Sequence, residues 1–237
     1  TDRAAAVALA RFDTAPRAPH HRRVARARTD LVIPARNAER ELATAVDRAV
    51  LRELRSLVVI DRASSDGTAG AARDLGAVVL REPSGGYGAA CLRALEHFTA
   101  QPEPPEIVAF APPEARLDRA QFERLLAPIL SGDAELTVAT IADHRLRDRA
   151  VGRLIDTVYG QRFAHPGPIR AIRYPALVAL GMSDRGAGWD VEMLVRALRL
   201  GVGIVEVDLG GAVSLHRTGG VRATCAATVL SPTPLSS

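Results

Sequence analysis

From about residue 30 onward, short apolar runs alternate with stretches of helical periodicity. Residues 30–33, 57–60, 77–80, 107–110, 136–140 and 203–209 read as strands, and the central runs show no polar alternation, as expected of strands covered on both faces. Leu42, Ala45, Val46, Ala49, Val50 and Leu54 fall at helical spacing, which predicts one helix capped by Asn37 and reaching Leu54. Further helices are predicted from Thr68 to Leu75, over 91–98, from Asp118 to Leu130, over the arginine-rich 145–159, and from Trp189 to Leu200. Gly76 and Gly201 sit just past helix ends. Pro175 suits the first turn of a short helix ending near Gly181, and 166–173 reads as a turn with a short extended piece. Alternation of this kind predicts a single α/β domain, Rossmann-like, with a mostly parallel sheet and helices on both faces.

The stretch 57–68 is the most informative. An apolar strand ends at Asp61 and passes into a polar turn in which Ser64, Ser65 and Asp66 are candidate caps and Gly67 permits a tight bend. In open α/β sheets ligands bind beyond the carboxyl ends of the strands, so Asp61 is expected to stand at the mouth of a crevice facing a base or ribose. Residues 84–90, Ser-Gly-Gly-Tyr-Gly-Ala-Ala, form a glycine loop before a helix. Their spacing misses the dinucleotide fingerprint, which leaves a flexible turn or a close backbone approach to a ligand.

Composition narrows the partners. A chain of 237 residues that is 47% hydrophobic is long enough for one large core. The 31 basic against 27 acidic residues leave a net charge of +4, and aromatics make up only 4%. That balance argues against a nucleic-acid reader and leaves anionic small molecules or an anionic membrane face. Residues 1–29 are expected to form a mobile basic arm, with contact to lipid phosphate as the functional alternative, followed by a domain over 30–228 and a tail over 229–237. Cys91 and Cys225 lack any pairing or metal spacing, which fits a reducing, cytoplasmic setting. No apolar run is long enough to span a bilayer, so any membrane association is expected to be peripheral, on the inner face.

Six ordered motifs carry a family resemblance: Val32-Ile-Pro-Ala-Arg-Asn37, Val59-Ile-Asp-Arg-Ala-Ser-Ser-Asp-Gly-Thr68, Gly85-Gly-Tyr-Gly-Ala-Ala90, Gly167-Pro-Ile-Arg-Ala-Ile-Arg173, Gly188-Trp-Asp-Val-Glu-Met193 and Arg217-Thr-Gly-Gly220. In this order they resemble family-2 glycosyltransferases, and most closely the bacterial polyprenyl- or dolichyl-phosphate sugar synthase branch. The resemblance implies a GT-A fold, a nucleoside diphosphate sugar donor, a divalent Mg²⁺ or Mn²⁺ ion, and inverting transfer to a lipid phosphate at the membrane surface or to another hydroxyl. Pro34, Arg36, Asn37, Asp61, Arg62, Ser64, Asp66, Gly86, Tyr87, Gly88, Arg170 and Arg217 match its nucleotide-sugar side. Glu192 or Asp190 is the expected base, next to Trp189 as an acceptor platform.

The departures fall on charged positions. The family's second strand-end acid is Arg62. Its metal-binding pair of aspartates aligns with Pro112-Pro113-Glu114, so Glu114 alone is left for a weakened metal site. A preceding acid is His165, and a closing Ser-Lys is Arg222-Ala223. Proline has no ligating side chain, whereas a guanidinium fork matches phosphate geometry. Arg62, Arg81 or Arg217 could therefore meet the diphosphate directly. Two readings follow: an active transferase whose fixed cations stand in for the metal, and a catalytically silent relative that keeps the fold as a nucleotide-binding scaffold or regulatory partner.

Overall fold

The computed structural model describes residues 27–140 and 166–210. Most of the N-terminal arm, the helix expected at 145–159, His165, Arg217, Cys225 and the C-terminal tail lie outside them. In chain order the elements are β1 (Thr29–Ala35), α1 (Glu39–Ala45), α2 (Arg48–Leu51), β2 (Ser56–Asp61), α3 (Thr68–Asp74), β3 (Val78–Arg81), α4 (Tyr87–Thr99), β4 (Ile107–Phe110), α5 (Arg119–Ser131), β5 (Leu136–Thr140), β6 (Pro166–Arg173), α6 (Tyr174–Leu180), α7 (Trp189–Arg199) and β7 (Ile204–Asp208). The sheet order is β3-β2-β1-β4-β6-β5-β7. Only β6 runs against its neighbours β4 and β5; the other pairings are parallel.

The two faces of the sheet bury separate cores. Leu31, Ile33, Val59, Ala109 and Ala171 meet Leu42, Ala72, Phe122 and Leu125 on one side. On the other, Val32, Val58, Ile60, Val108 and Phe110 meet Cys91, Phe98, Leu177, Trp189 and Met193. Successive strand residues thus feed opposite layers, which is why the central runs are apolar throughout. Edge strands β3 and β7 are the exceptions, with their residues half-buried or exposed. At the amino end of the sheet the fully buried Asp30 receives Arg55 through both carboxylate oxygens. Its carboxyl is nevertheless raised, because burial outweighs the arginine.

Three expectations need correction. The helix predicted up to Leu54 is two helices: Val46 is extended, bridges Leu117, and is followed by Asp47, whose carboxylate caps α2 by accepting from Ala49 N. A β-branched residue next to a strong cap former breaks a run that spacing alone would continue. Asn37 does not cap α1; Ala38 does, with no side-chain bond. Residues 166–173 form a full antiparallel strand instead of a turn with a short extended piece.

Helix α4 begins earlier than predicted, at Tyr87, because the chain itself completes its first turn. Gly88 N donates to Gly186 O at 2.8 Å and Ala89 N to Arg185 O at 3.0 Å. A Cβ on Gly86 would lie 2.2 Å from Arg185 O, and one on Gly88 would lie 2.1 Å from Asp184 O. The glycines at 86 and 88 therefore serve close packing of the protein's own backbone. Gly88→Ala should destabilise the fold by about 1–3 kcal/mol, since the obstructing atoms are main chain and cannot rotate away. Urea denaturation measures it, and a change within about 0.5 kcal/mol would contradict the packing role.

Candidate functional site

The loops after β1, β2 and β4 share the carboxyl rim of the sheet, and they carry all of the left-handed non-glycine residues among the described ones: Asn37 (φ 51°), Ala63 (φ 55°) and Arg116 (φ 44°). Strained backbone of this kind concentrates where geometry serves a ligand. The first two loops are fastened to each other. Asn37 N donates to Ser64 Oγ, Ser65 N to Asn37 Oδ1, Ala38 N to Thr68 Oγ1, Glu39 N to Asp66 Oδ2 and Gly67 N to Glu39 Oε2. Asn37, Ser64 and Asp66 therefore hold the loops in register. Gly67, not Ser64, Ser65 or Asp66, is the N-cap of α3, and it makes no side-chain capping bond. Asp66 also accepts from Thr68, and that hydrogen bond holds its carboxyl below the usual range. Asp61 ends β2, 9% exposed, with Oδ1 accepting from Ser64 N and no ion pair among the described residues. Pro34 is buried in β1 opposite Ile60, beyond the last β4 pair at Val32, so its missing N–H breaks no ladder bond.

Two cations converge above this rim. Arg62 donates Nε and Nη2 to Gly85 O at 3.0 and 2.7 Å and stacks over the Tyr87 ring, 5.9 Å from its centroid. Burial, and then the charge of Arg36, pull the Arg62 guanidinium down. Arg36 is exposed, with its guanidinium beside Gly85. Glu114, half-buried, is the carboxylate that opposes Arg62, and burial together with Glu41 raises it. Among the described residues no three His, Cys, Asp or Glu side chains are grouped as a metal site requires.

The predicted acids separate. Glu192 accepts from Ser183 N and Oγ, Asp184 N and Arg196 Nε, with Arg196 Nη2 at 2.8 Å. Burial would raise its carboxyl, but these hydrogen bonds and the Arg196 charge together leave it lowered. That set of partners fixes the 183–186 segment against α4 and leaves Glu192 unsuited to take a proton. Asp190 differs: its Oδ1 is buried without a hydrogen bond, 3.3 Å from Arg170 Nη2, and burial raises its carboxyl against the pull of Arg170.

Arg170 does not reach the rim, as a nucleotide contact would require. It is 1% exposed and donates Nη1 to Asp190 O and Nη2 to Gly167 O, tying β6 to the first turn of α7. Trp189 is fully buried against Phe110, so its face is not an open platform for an acceptor ring. Tyr87 and Cys91 sit in the same environment, and burial followed by Asp190 pushes both well above their ordinary range. Sequence reasoning missed Cys91 as part of this group, as well as the Ser183 and Arg196 clip on Glu192. The i, i+4 spacing of Tyr87 and Cys91, and a lone arginine in the apolar run 169–172, were the available signals.

Residues 30–182 match the Glycosyl transferase family 2 model. Relatives include uncharacterized glycosyltransferases of Mycobacterium bovis and Mycobacterium tuberculosis, 33% identical over 198 residues that span 80% of this chain and 86% of theirs. Among solved structures, glucosyl-3-phosphoglycerate synthase from Mycobacterium tuberculosis in complex with Mn²⁺, UDP and phosphoglyceric acid superposes with a TM-score of 0.67 at 22% identity, over 78% of this chain and 69% of that one. The same synthase with Mg²⁺ and UDP gives 0.65, again at 22% identity, over 78% and 70% of the two chains. At that identity the structures speak for the fold, a GT-A-type sheet. The family match over residues 30–182 and the similarity to relatives across 86% of their length agree: this chain belongs to the family 2 glycosyltransferases.

Proposed function

We propose that the chain binds a nucleoside diphosphate sugar across the rim formed by 34–37, 61–63 and 85–88 and transfers the sugar, with inversion, to an acceptor oxygen. The observation that carries this reading is the pair of guanidiniums, Arg36 and Arg62, drawn together at Gly85 despite their mutual repulsion. Like charges held at one place on a ligand-binding rim favour an anion, and a diphosphate is the anion that family 2 donors present. Asp61, with Oδ1 already on Ser64 N, is assigned to the base or ribose. The UDP complexes of the similar synthase support a nucleotide donor. Membership of the lipid-phosphate branch, with peripheral docking on an anionic membrane face, is one option for the acceptor.

Among the described residues none suits a dedicated divalent ion. Pro112 and Pro113 offer no side-chain ligand, and the raised Glu114 is a single carboxylate beside a cation. We assign the charge that builds on the leaving diphosphate to Arg62 and Arg36 instead. In the transfer step, Asp190 takes the proton of an attacking hydroxyl, the acceptor oxygen bonds to the anomeric carbon, and the anomeric C–O bond breaks with its electron pair leaving on the nucleoside diphosphate. A second reading, a nucleotide-binding scaffold without turnover, is favoured by the commitment of Glu192 to the 183–186 segment and by the loss of the acid at 112.

Arg62→Ala should weaken binding of UDP or GDP, whichever binds the unmodified protein, by about 1.5–3 kcal/mol in calorimetric titration, the range for hydrogen bonds to a charged group. Unchanged affinity, or no nucleotide binding by the unmodified protein, contradicts the proposal. If turnover is present, its acid limb reports Asp190. Arg170 lowers the Asp190 carboxyl, so Arg170→Met removes that pull, raises the carboxyl further, and moves the acid limb of kcat/KM to higher pH. Arg170→Lys keeps the charge and should lie between the two. A limb that stays put in Arg170→Met excludes Asp190 as the base.

A further inference from the structure

The buried charged side chains among the described residues are Asp30, Asp61, Arg170 and Glu82. Glu82 stands between β3 and the glycine loop and spends its carboxylate on that loop: Oε1 accepts from Ser84 N at 2.9 Å and from Ser84 Oγ. Its main chain adds two bonds. Glu82 N donates to Asp61 O at 2.8 Å, extending the β3–β2 pairing by one residue, and Gly85 N donates to Glu82 O at 3.3 Å. Glu82-Pro-Ser-Gly85 is thus a β-turn with proline second and glycine fourth, the positions those residues favour. Gly85 leaves the turn at φ 69°, a left-handed value that glycine adopts without strain.

The turn matters for the carbonyl it presents. Gly85 O accepts from Arg62 Nε and Nη2, which are the side edge of the guanidinium. The end face, Nη1 with the outer Nη2 hydrogen, stays free for a bidentate phosphate. A carbonyl also leaves the charge of the arginine uncancelled, which a carboxylate in the same place would not. Glu82 is a carboxylate one step removed. Hydrogen bonds from Ser84, then the charges of Arg185 and Arg93, hold its carboxyl below the usual range against burial. An acid thereby organises the loop without neutralising the cation that the loop holds.

Resting on the donor-site reading, we propose that Glu82 is a positioning residue for donor binding: by fixing Ser84 it sets the Gly85 carbonyl, and that carbonyl aims the free face of Arg62 at the diphosphate. Glu82 itself touches no substrate atom. Its effect on the nucleotide passes through Arg62, so it disappears when Arg62 is absent, whereas a residue that merely supports the fold matters in either background. What Glu82 supplies is acceptance of hydrogen bonds from Ser84, not charge at the site. A glutamine, whose carbonyl oxygen accepts in the same way, therefore serves, and an alanine does not.

Two measurements test this, the first without nucleotide. The Arg62 Nε–H signal is identified in proton–nitrogen NMR spectra by its loss in Arg62→Lys, and its exchange with solvent is followed in the ligand-free protein. Exchange should quicken by about tenfold in Glu82→Ala, the worth of one hydrogen bond, and stay near the unmodified rate in Glu82→Gln. Ser84→Ala, which removes only a hydroxyl from an exposed position, should lie between and carries the comparison should Glu82→Ala fail to fold. In calorimetric titration with UDP or GDP, Glu82→Ala should weaken binding by about 3- to 10-fold, and by less than about twofold when Arg62→Ala is already present. Unchanged Arg62 exchange in Glu82→Ala and Ser84→Ala overturns the assignment. So does an equal loss of affinity with and without Arg62, or a Glu82→Gln variant as weak as Glu82→Ala. If no nucleotide binds the unmodified protein, the donor-site reading fails, while the exchange comparison still decides whether Glu82 positions Arg62.

Discussion

Everything at the site depends on how closely α4 approaches the backbone of residues 184–186. Glycine at 86 and 88 allows carbonyl oxygens to sit where a Cβ would stand, and those carbonyls accept the N–H groups of Gly88 and Ala89. Two consequences follow. The contact brings Tyr87 and Cys91 on α4 to Arg170 and Asp190 on the other side of the junction. It also occupies donors that a helix N-terminus usually offers to an anion, which is why the proposed diphosphate site is assigned to side-chain guanidiniums in place of those main-chain amides.

Glu192 makes that contact durable. Its carboxylate collects Ser183, Asp184 and Arg196, which fixes the segment that α4 leans on from a point two residues after Asp190 in α7. The two acids of the Trp189-Asp-Val-Glu192 motif thus divide into a structural member and the one proposed as the base. Their environments draw them apart in the same way: hydrogen bonds lower Glu192, while burial without a hydrogen bond raises Asp190.

Much of the fold was legible in the chain. The strand at 136–140, the helices begun at Asp118 and Trp189, and the glycines at 76, 181 and 201 all stand where spacing and turn chemistry put them. Local rules failed where tertiary contacts decided the outcome. Val46 left its helix to pair with Leu117, Asn37 bonded across to Ser65 instead of capping, and 166–173 became a strand because β4 and β5 offer edges on either side. The rim was legible because strand ends are readable from apolar runs. The polar junction was not, since its members come from three distant segments, and whether a side chain such as Arg170 turns outward to a phosphate or inward to a carbonyl is settled only by packing.

The central claim is that fixed guanidiniums, not a bound metal, carry the charge of the donor diphosphate. Calorimetric titration of UDP and GDP into the protein, in parallel with EDTA and with Mn²⁺, tests it most directly. The account predicts a nucleotide whose affinity agrees within about twofold between the two conditions. A nucleotide that binds only with Mn²⁺, taken up one to one and lost in Glu114→Ala, would contradict it.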